Sequence, residues 1–341
     1  LPSQFMWSEK DLAPAVDEHI SDPPVDLSGF LDGDPDATRT AVDQIREACS
    51  SHGFFQVVNH GVGEALVREA HEQMEVVFRL PPGKKMSMKR KPGDLCGYSG
   101  AHADRFTANL PWKEMLSFHH AAVAGDDVVG YIKSVLGNEF EETGVVFQRY
   151  CEAMKKLSQA IFGLLSMSLG LDPTHYVDVF SDGNALMRIN NYPPCPEAGL
   201  TFGTGPHTDP NALTILHQDL VGGLQVFADG KWRPVKPISG AFAVNIGDTF
   251  MAICNGRYKS CVHRAVVNKE RERRSLVFFV NPRDDRLLRP PEELVSVGEN
   301  PYRRWYPDFT WSQMREFTQK HYRVDSGTLA SFVRWLGVNS S

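Results

Sequence analysis

Positive charge is not in excess in this chain: 36 Lys and Arg stand against 42 Asp and Glu, a formal net charge of −6. A nucleic-acid partner calls for a basic face that displaces counterions from phosphates, so none is expected. Paired cysteines are missing as well. Cys49, Cys96, Cys151, Cys195, Cys254 and Cys261 form no C-x-x-C pair, and no opening stretch has the charged, apolar and small-residue parts of a signal peptide. A reducing compartment, the cytoplasm or the nucleus, is therefore expected over secretion. The chain starts at Leu1 rather than Met, so leading residues are expected upstream. Long apolar runs are lacking too: the run at 161–171 is broken by Gly and Ser and is far shorter than the ~18–20 residues that cross a bilayer, so no membrane partner is expected. Repeats and low-complexity segments are absent.

What is there is an ordinary globular composition, 42% apolar and 23% charged, enough for one large core or two smaller ones. The first half reads as helices around short strands. Pro23-Pro24 leads into Val25, Leu27 and Phe30, and Val42, Ile45 and Cys49 share a helical face that ends at Gly53. Phe54 to Val58 has the texture of a strand. Leu66, Ala70, Met74 and Val77 mark a second amphipathic helix stopped by Pro81-Pro82, and a longer helix is expected over 141–169. The basic run at 84–91 reads as a solvated helix end and loop.

From Leu186 the pattern changes to short apolar runs punctuated by Gly222-Gly223, Asp229-Gly230, Gly247-Asp248 and Asn255-Gly256. Closely spaced strands without helical signal until Phe309 predict an antiparallel jelly roll or barrel. Helical patterning returns between Trp311 and Trp335, placed to pack across the outside of the sheets. Gly203-Thr204-Gly205 lacks the lysine and helix of a phosphate loop and reads as a turn.

The chemistry is concentrated in P-H-T-D-P at 206–210. In extended backbone, residues i and i+2 point to one side, so His207 and Asp209 form a two-pronged ligand, and the prolines on either side hold the backbone extended. A third ligand is expected at His263, where alternation puts Cys261, His263 and Ala265 on one strand face. Two imidazoles and one carboxylate leave coordination positions open, an arrangement associated with non-haem Fe(II) oxygenases. Further on, Arg273 and Ser275 share a face and offer a guanidinium fork and a hydroxyl to one carboxylate, while Arg274 points away. A zinc hydrolase or isomerase could use the same three ligands but has no use for the Arg-x-Ser arm.

His207-Thr208-Asp209, His263 and Arg273-x-Ser275, in this order, resemble the plant 2-oxoglutarate and Fe(II)-dependent dioxygenases, and Asn190-Asn191-Tyr192-Pro193-Pro194-Cys195 is similar to that family's N-Y-Y-P-P-C segment. The likeness runs from about Pro23 to Leu336. It implies an α+β fold, a double-stranded β-helix or distorted jelly roll with N- and C-terminal helical support. It divides the chain into 1–140, a jelly-roll core with its leading helix at 141–308, and a helical segment at 309–341. It also implies Fe(II) held by His207, Asp209 and His263, and 2-oxoglutarate on Arg273 and Ser275 with Tyr192 and Asn190 nearby. Oxygen would be consumed, succinate and carbon dioxide released, and ascorbate could serve as reductant.

Three stretches resemble the gibberellin 20-oxidase branch of that family: the segment from Asn109 to Glu114, Gly203-Thr204-Gly205-Pro206-His207, and the segment from Leu213 to Asp219. This implies a small diterpenoid acid, a gibberellin precursor, oxidised stepwise at carbon 20 until that carbon is lost, with Trp112 and Lys113 as substrate-binding residues. A gibberellin 3- or 2-oxidase or a flavonoid oxygenase would share every metal residue and is the alternative.

Overall fold

The computed structural model describes residues 1–9, 11–103, 107–120, 127–295, 304–321 and 327–339. Twelve strands build its two main sheets. They are β1 (Val25–Asp26), β2 (Phe54–Val58), β3 (Gly97–Gly100), β4 (Glu114–His120), β5 (Ala185–Tyr192), β6 (Phe202–His207), β7 (Leu213–Gln218), β8 (Leu224–Ala228), β9 (Lys231–Pro234), β10 (Phe242–Ile246), β11 (His263–Val266) and β12 (Arg273–Val280). An eight-stranded sheet runs β1-β2-β10-β7-β12-β5-β4-β3, and a four-stranded sheet runs β6-β11-β8-β9. The expected jelly roll with helical support is therefore present, its two sheets facing each other across the region that holds the functional residues.

The helices form where the apolar spacing predicts. Pro35–Ser51 buries Val42, Ile45 and Cys49, and Asp34 caps its start by accepting from the backbone N–H groups of Asp36 and Ala37. The chain leaves this helix through Gly53 at φ +74°, where a side chain would collide with the carbonyl of Lys259. Glu64–Phe78 buries Val67, Ala70, Met74 and Val77 and stops ahead of the two prolines. Glu141–Ser168 is the long central helix, packed behind the large sheet through residues such as Phe147, Met154 and Ile161. Trp311–His321 and Thr328–Asn339 supply the C-terminal helices; residues 322–326 between them lie outside the described residues.

The structure departs from the sequence pattern in three places. Gly247-Asp248 opens a short helix, Asp248–Ile253, and Asn255-Gly256 closes it with both φ values positive, so this segment between two strands is helical. Asp229-Gly230 does make the two-residue hairpin turn, between β8 and β9. Gly203-Thr204-Gly205 is not a turn but the body of β6, and its glycines serve close packing (below). The basic run is only partly solvated: Lys85 pairs with Glu114 at 2.7 Å and Arg90 is buried. All six cysteines are free thiols. Among the described residues no helix is long and apolar enough to cross a membrane.

Candidate metal centre and anion pocket

Antiparallel pairing of β6 with β11 sets His207 directly opposite His263. Their rings lie 4.2 Å apart, and both reach Asp209, at 3.5 Å from His207 Nε2 and 3.7 Å from His263 Nε2. The ligand atoms of the three residues all fall within 4.8 Å of one another, and no other such group of His, Cys, Asp or Glu exists among the described residues. Each imidazole is oriented by the backbone two residues earlier: Nδ1 of His207 donates to the Gly205 carbonyl (2.8 Å) and Nδ1 of His263 to the Cys261 carbonyl (3.1 Å). A carbonyl can only accept, so Nδ1 carries the hydrogen and Nε2 is the ring nitrogen of each histidine that faces Asp209 and can ligate a metal.

Electrostatics keep His263 and Asp209 in their metal-binding forms. Burial lowers His263 to about 4, leaving it neutral near pH 7. Burial alone would raise the Asp209 carboxyl, but the neighbouring imidazoles and the Thr214 hydroxyl, which donates at 2.7 Å, hold it below the ordinary range. A neutral imidazole and a carboxylate are what a divalent metal requires. Thr208, between the ligands, donates to the buried Asp248, whose backbone N–H in turn bonds the Asp209 carbonyl at 2.8 Å. The helix at Asp248–Ile253 thus braces the ligand loop from behind.

The second sub-site lies on the large sheet. β12 pairs with β5 so that Arg273 faces Tyr192 and Ser275 faces Asn190. The Arg273 guanidinium sits 4.8 Å from the Tyr192 ring and donates through Nη2 to Gln218 at 2.8 Å. Its Nε and Nη1 are buried with no acceptor. Two orphaned donors beside a serine and a tyrosine fit one end of a dicarboxylate, because an unmet buried guanidinium is costly until an anion reaches it. The three ligands and this anion pocket open into the same cavity, so the residues present fit both iron and 2-oxoglutarate.

Every predicted metal and anion residue is therefore found at one site: His207, Asp209, His263, Arg273, Ser275, Tyr192 and Asn190. Asn190 donates to Ser275 at 3.3 Å, while Asn191 turns to the other face and Glu114, and Arg274 points away to Glu75 and Glu272. Lys113 lines the cavity. Trp112 is not among the lining residues: its indole donates to the Pro193 carbonyl at 3.2 Å and packs edge-on against Phe5. Sequence reasoning passed over Thr214 and Gln218, although alternation along β7 places Thr214, Leu216 and Gln218 on the inward face. Trp7 and Arg188, which also line the cavity, gave no motif signal.

The glycines of β6 explain how this cavity closes. A side chain at Gly203 would overlap the Tyr192 ring, and one at Gly205 would overlap the indole of Trp7. One strand thus yields at two points, once to the anion pocket and once to the N-terminal segment that covers the cavity.

Comparison with known proteins follows the same residues. The 2OG-Fe(II) oxygenase superfamily profile matches 183–282, the region of the ligands and Arg273, and that of the N-terminal region of the non-haem dioxygenases, described for morphine synthesis, matches 23–133. Gibberellin 20 oxidase 2 of Oryza sativa subsp. indica is 52% identical over 337 residues, covering 98% of this chain and 85% of that protein. Gibberellin 20 oxidase 2 of Arabidopsis thaliana is 48% identical over 344 residues, covering 100% of this chain and 89% of that protein. Among solved structures, JOX2 in complex with 2OG, Fe and JA superposes with a TM-score of 0.82 at 34% identity, covering 98% of this chain and 94% of that one. The rice dioxygenase for auxin oxidation gives 0.75 at 29% identity, covering 90% and 98%. With the likeness extending over both sheets and the profile falling on the strands that carry the ligands, the chain belongs to the 2OG-Fe(II) oxygenase superfamily and is a dioxygenase that uses Fe(II) and 2-oxoglutarate.

Proposed function

We propose that this dioxygenase is a gibberellin 20-oxidase, acting stepwise on carbon 20 of a gibberellin precursor. The observation that carries the reading is identity of about half the residues with gibberellin 20 oxidases over nearly the whole chain. Bound iron with 2-oxoglutarate and oxygen supplies the oxidising chemistry, with succinate and carbon dioxide as co-products. The protein's part is to hold and exclude. His207, Asp209 and His263 would hold the metal, and Arg273, Ser275 and Tyr192 would hold the far carboxylate of the co-substrate and so orient its keto-acid end.

The rest of the cavity suits an apolar acid. Leu95, Leu186, Leu216, Phe279 and Trp7 give it apolar walls that keep water from the reacting carbon. Arg188 is a cation of this wall, stacked over Phe279 at 5.0 Å and joined by Nε to Ser117 at 3.0 Å, and in this reading it receives the substrate carboxylate. Arg315, from a C-terminal helix, lines the same cavity but is paired with Asp284 at 2.8 Å.

The test is anaerobic addition of Fe(II) and 2-oxoglutarate to the purified protein, followed by oxygen and a gibberellin precursor with mass analysis of products. Alcohol, aldehyde and then loss of carbon 20 are expected. Hydroxylation at carbon 2 or 3 instead, or turnover of a flavonoid only, overturns the substrate while leaving the dioxygenase.

A further inference from the structure

Lys113 is a buried lysine that, among the described residues, forms no ion pair. Only 8% of its surface is exposed, and its ammonium donates to two neutral oxygens, Asn190 Oδ1 at 3.3 Å and Thr204 Oγ1 at 3.1 Å. The acidic residue next to it in sequence is turned to the opposite side by strand alternation: Glu114 accepts from Lys85 and from Tyr98, each at 2.7 Å. The groups that act most strongly on Lys113 are the Tyr192 phenol and three arginines, Arg188, Arg273 and Arg90. A low-dielectric cavity that gathers cations this way is built to receive negative charge.

The geometry says which anion. Lys113 Nζ lies 5.7 Å from the centre of the Tyr192 ring, and the Arg273 guanidinium lies 4.8 Å from the same ring. Asn190 links Lys113 to the anion pocket through its amide, accepting a hydrogen bond from the lysine on Oδ1 and donating from Nδ2 to Ser275. Burial and the neighbouring arginines lower Lys113 to about 8; burial would raise Tyr192, but the charges of Lys113 and Arg273 outweigh it and bring the phenol to about 8 as well. Each group in this cluster is thus tuned by the others.

We propose that Lys113 is a second cation of the co-substrate site, binding the C5 carboxylate of 2-oxoglutarate together with Arg273, and is not the residue that recognises the diterpenoid acid. The proposal rests on the reading of the cavity as the 2-oxoglutarate site. It separates two neighbours in one motif: Trp112 packs the scaffold while Lys113 serves the co-substrate.

The experiment titrates the Fe(II)-loaded protein anaerobically with 2-oxoglutarate, and separately with 2-oxopentanoate, which has the same keto-acid end and no far carboxylate. Binding is read from the visible charge-transfer band. Lys113→Met is expected to weaken 2-oxoglutarate binding by about ten- to 100-fold and to leave 2-oxopentanoate unchanged, with Lys113→Arg recovering most of the loss. Thermal unfolding of the ligand-free variant at or above the wild-type temperature shows that it is folded, since a buried uncompensated charge has been removed. Unchanged 2-oxoglutarate binding in Lys113→Met, or equal losses for both keto acids, overturns the proposal, and a raised KM for the gibberellin precursor alone assigns Lys113 to the substrate instead. No band in the wild type overturns the co-substrate reading itself, and the proposal with it.

Discussion

The two ends of the cavity are built differently. At the inner end every functional side chain except Asp209, which sits in the loop just past β6, projects from a strand or the residue beside one, and cross-strand register alone brings His207 against His263 and Arg273 against Tyr192. At the mouth, the walls come from pieces far apart in sequence: Trp7 and Leu95, then Asn109, then Trp311 and Arg315 on a C-terminal helix. The sheet fixes geometry to within a side-chain contact, so it suits a reaction centre shared by a whole family. Loops and terminal segments can change without disturbing the sheet, so the choice of substrate resides there.

Substitutions can test that division. The largest effect is expected at the inner end: Asp209→Ala removes a ligand and leaves two imidazoles facing each other, so iron-dependent turnover should vanish while circular dichroism stays native. Succinate production at the wild-type rate would break the assignment of the triad. Next comes Arg273→Ala, which removes the guanidinium whose two donors await an acceptor. A loss of ~1.5–3 kcal/mol in 2-oxoglutarate binding, or about ten- to 150-fold, is expected, with no change in affinity for the gibberellin precursor.

The β6 glycines offer a sharper contrast, since they are two residues apart and serve opposite ends. Gly203→Ala presses on Tyr192, a ring buried on all sides, and should raise the KM for 2-oxoglutarate by about tenfold without any change of charge. Gly205→Ala presses on Trp7, which belongs to a covering segment that can yield, so a rise of about threefold in the KM for the gibberellin precursor is expected and none for 2-oxoglutarate. Steady-state kinetics with each substrate varied in turn would reveal the pattern; identical effects from both alanines would erase the distinction.

Outside the cavity, a half-buried titratable pair serves as a control. On the outer side of β7, His217 Nδ1 and His71 Nε2 lie 2.8 Å apart, and burial lowers His71 to about 4 and His217 to about 3. Imidazoles in the unfolded chain take up protons near their ordinary pKa, whereas the folded pair resists protonation. Stability should therefore fall as pH drops from about 6.5 to 3, and be unaffected by this pair above that range. The double variant His71→Phe, His217→Leu should flatten that slope by on the order of 1–2 kcal/mol, read from unfolding midpoints against pH, with turnover at pH 7 little changed.

The same division governs what could be read from the sequence. Strand periodicity and the Pro-flanked H-x-D place the ligands because those signals are local, and the pairing of β5 with β12 turns two separate motifs into one pocket. Trp7 was not legible, because its role depends on Gly205, more than half the length of the chain away. The helix at Asp248–Ile253 was hidden by a Gly-Asp that looks like a hairpin turn, and only the ligand loop it braces explains its presence. Gly203-Thr204-Gly205 was misread for a related reason: in a strand, glycine often marks the close approach of another group, and what approaches cannot be seen locally.

The two metal-facing imidazoles lean on peptide carbonyls and not on acidic side chains. A carboxylate behind each histidine would titrate, could be lost by a single base change, and would add negative charge to the centre. A main-chain oxygen does none of these. The orientation of both histidines is therefore inherited from the path of the backbone itself, indifferent to pH and to side-chain replacement at positions 205 and 261 so long as the strand path is kept.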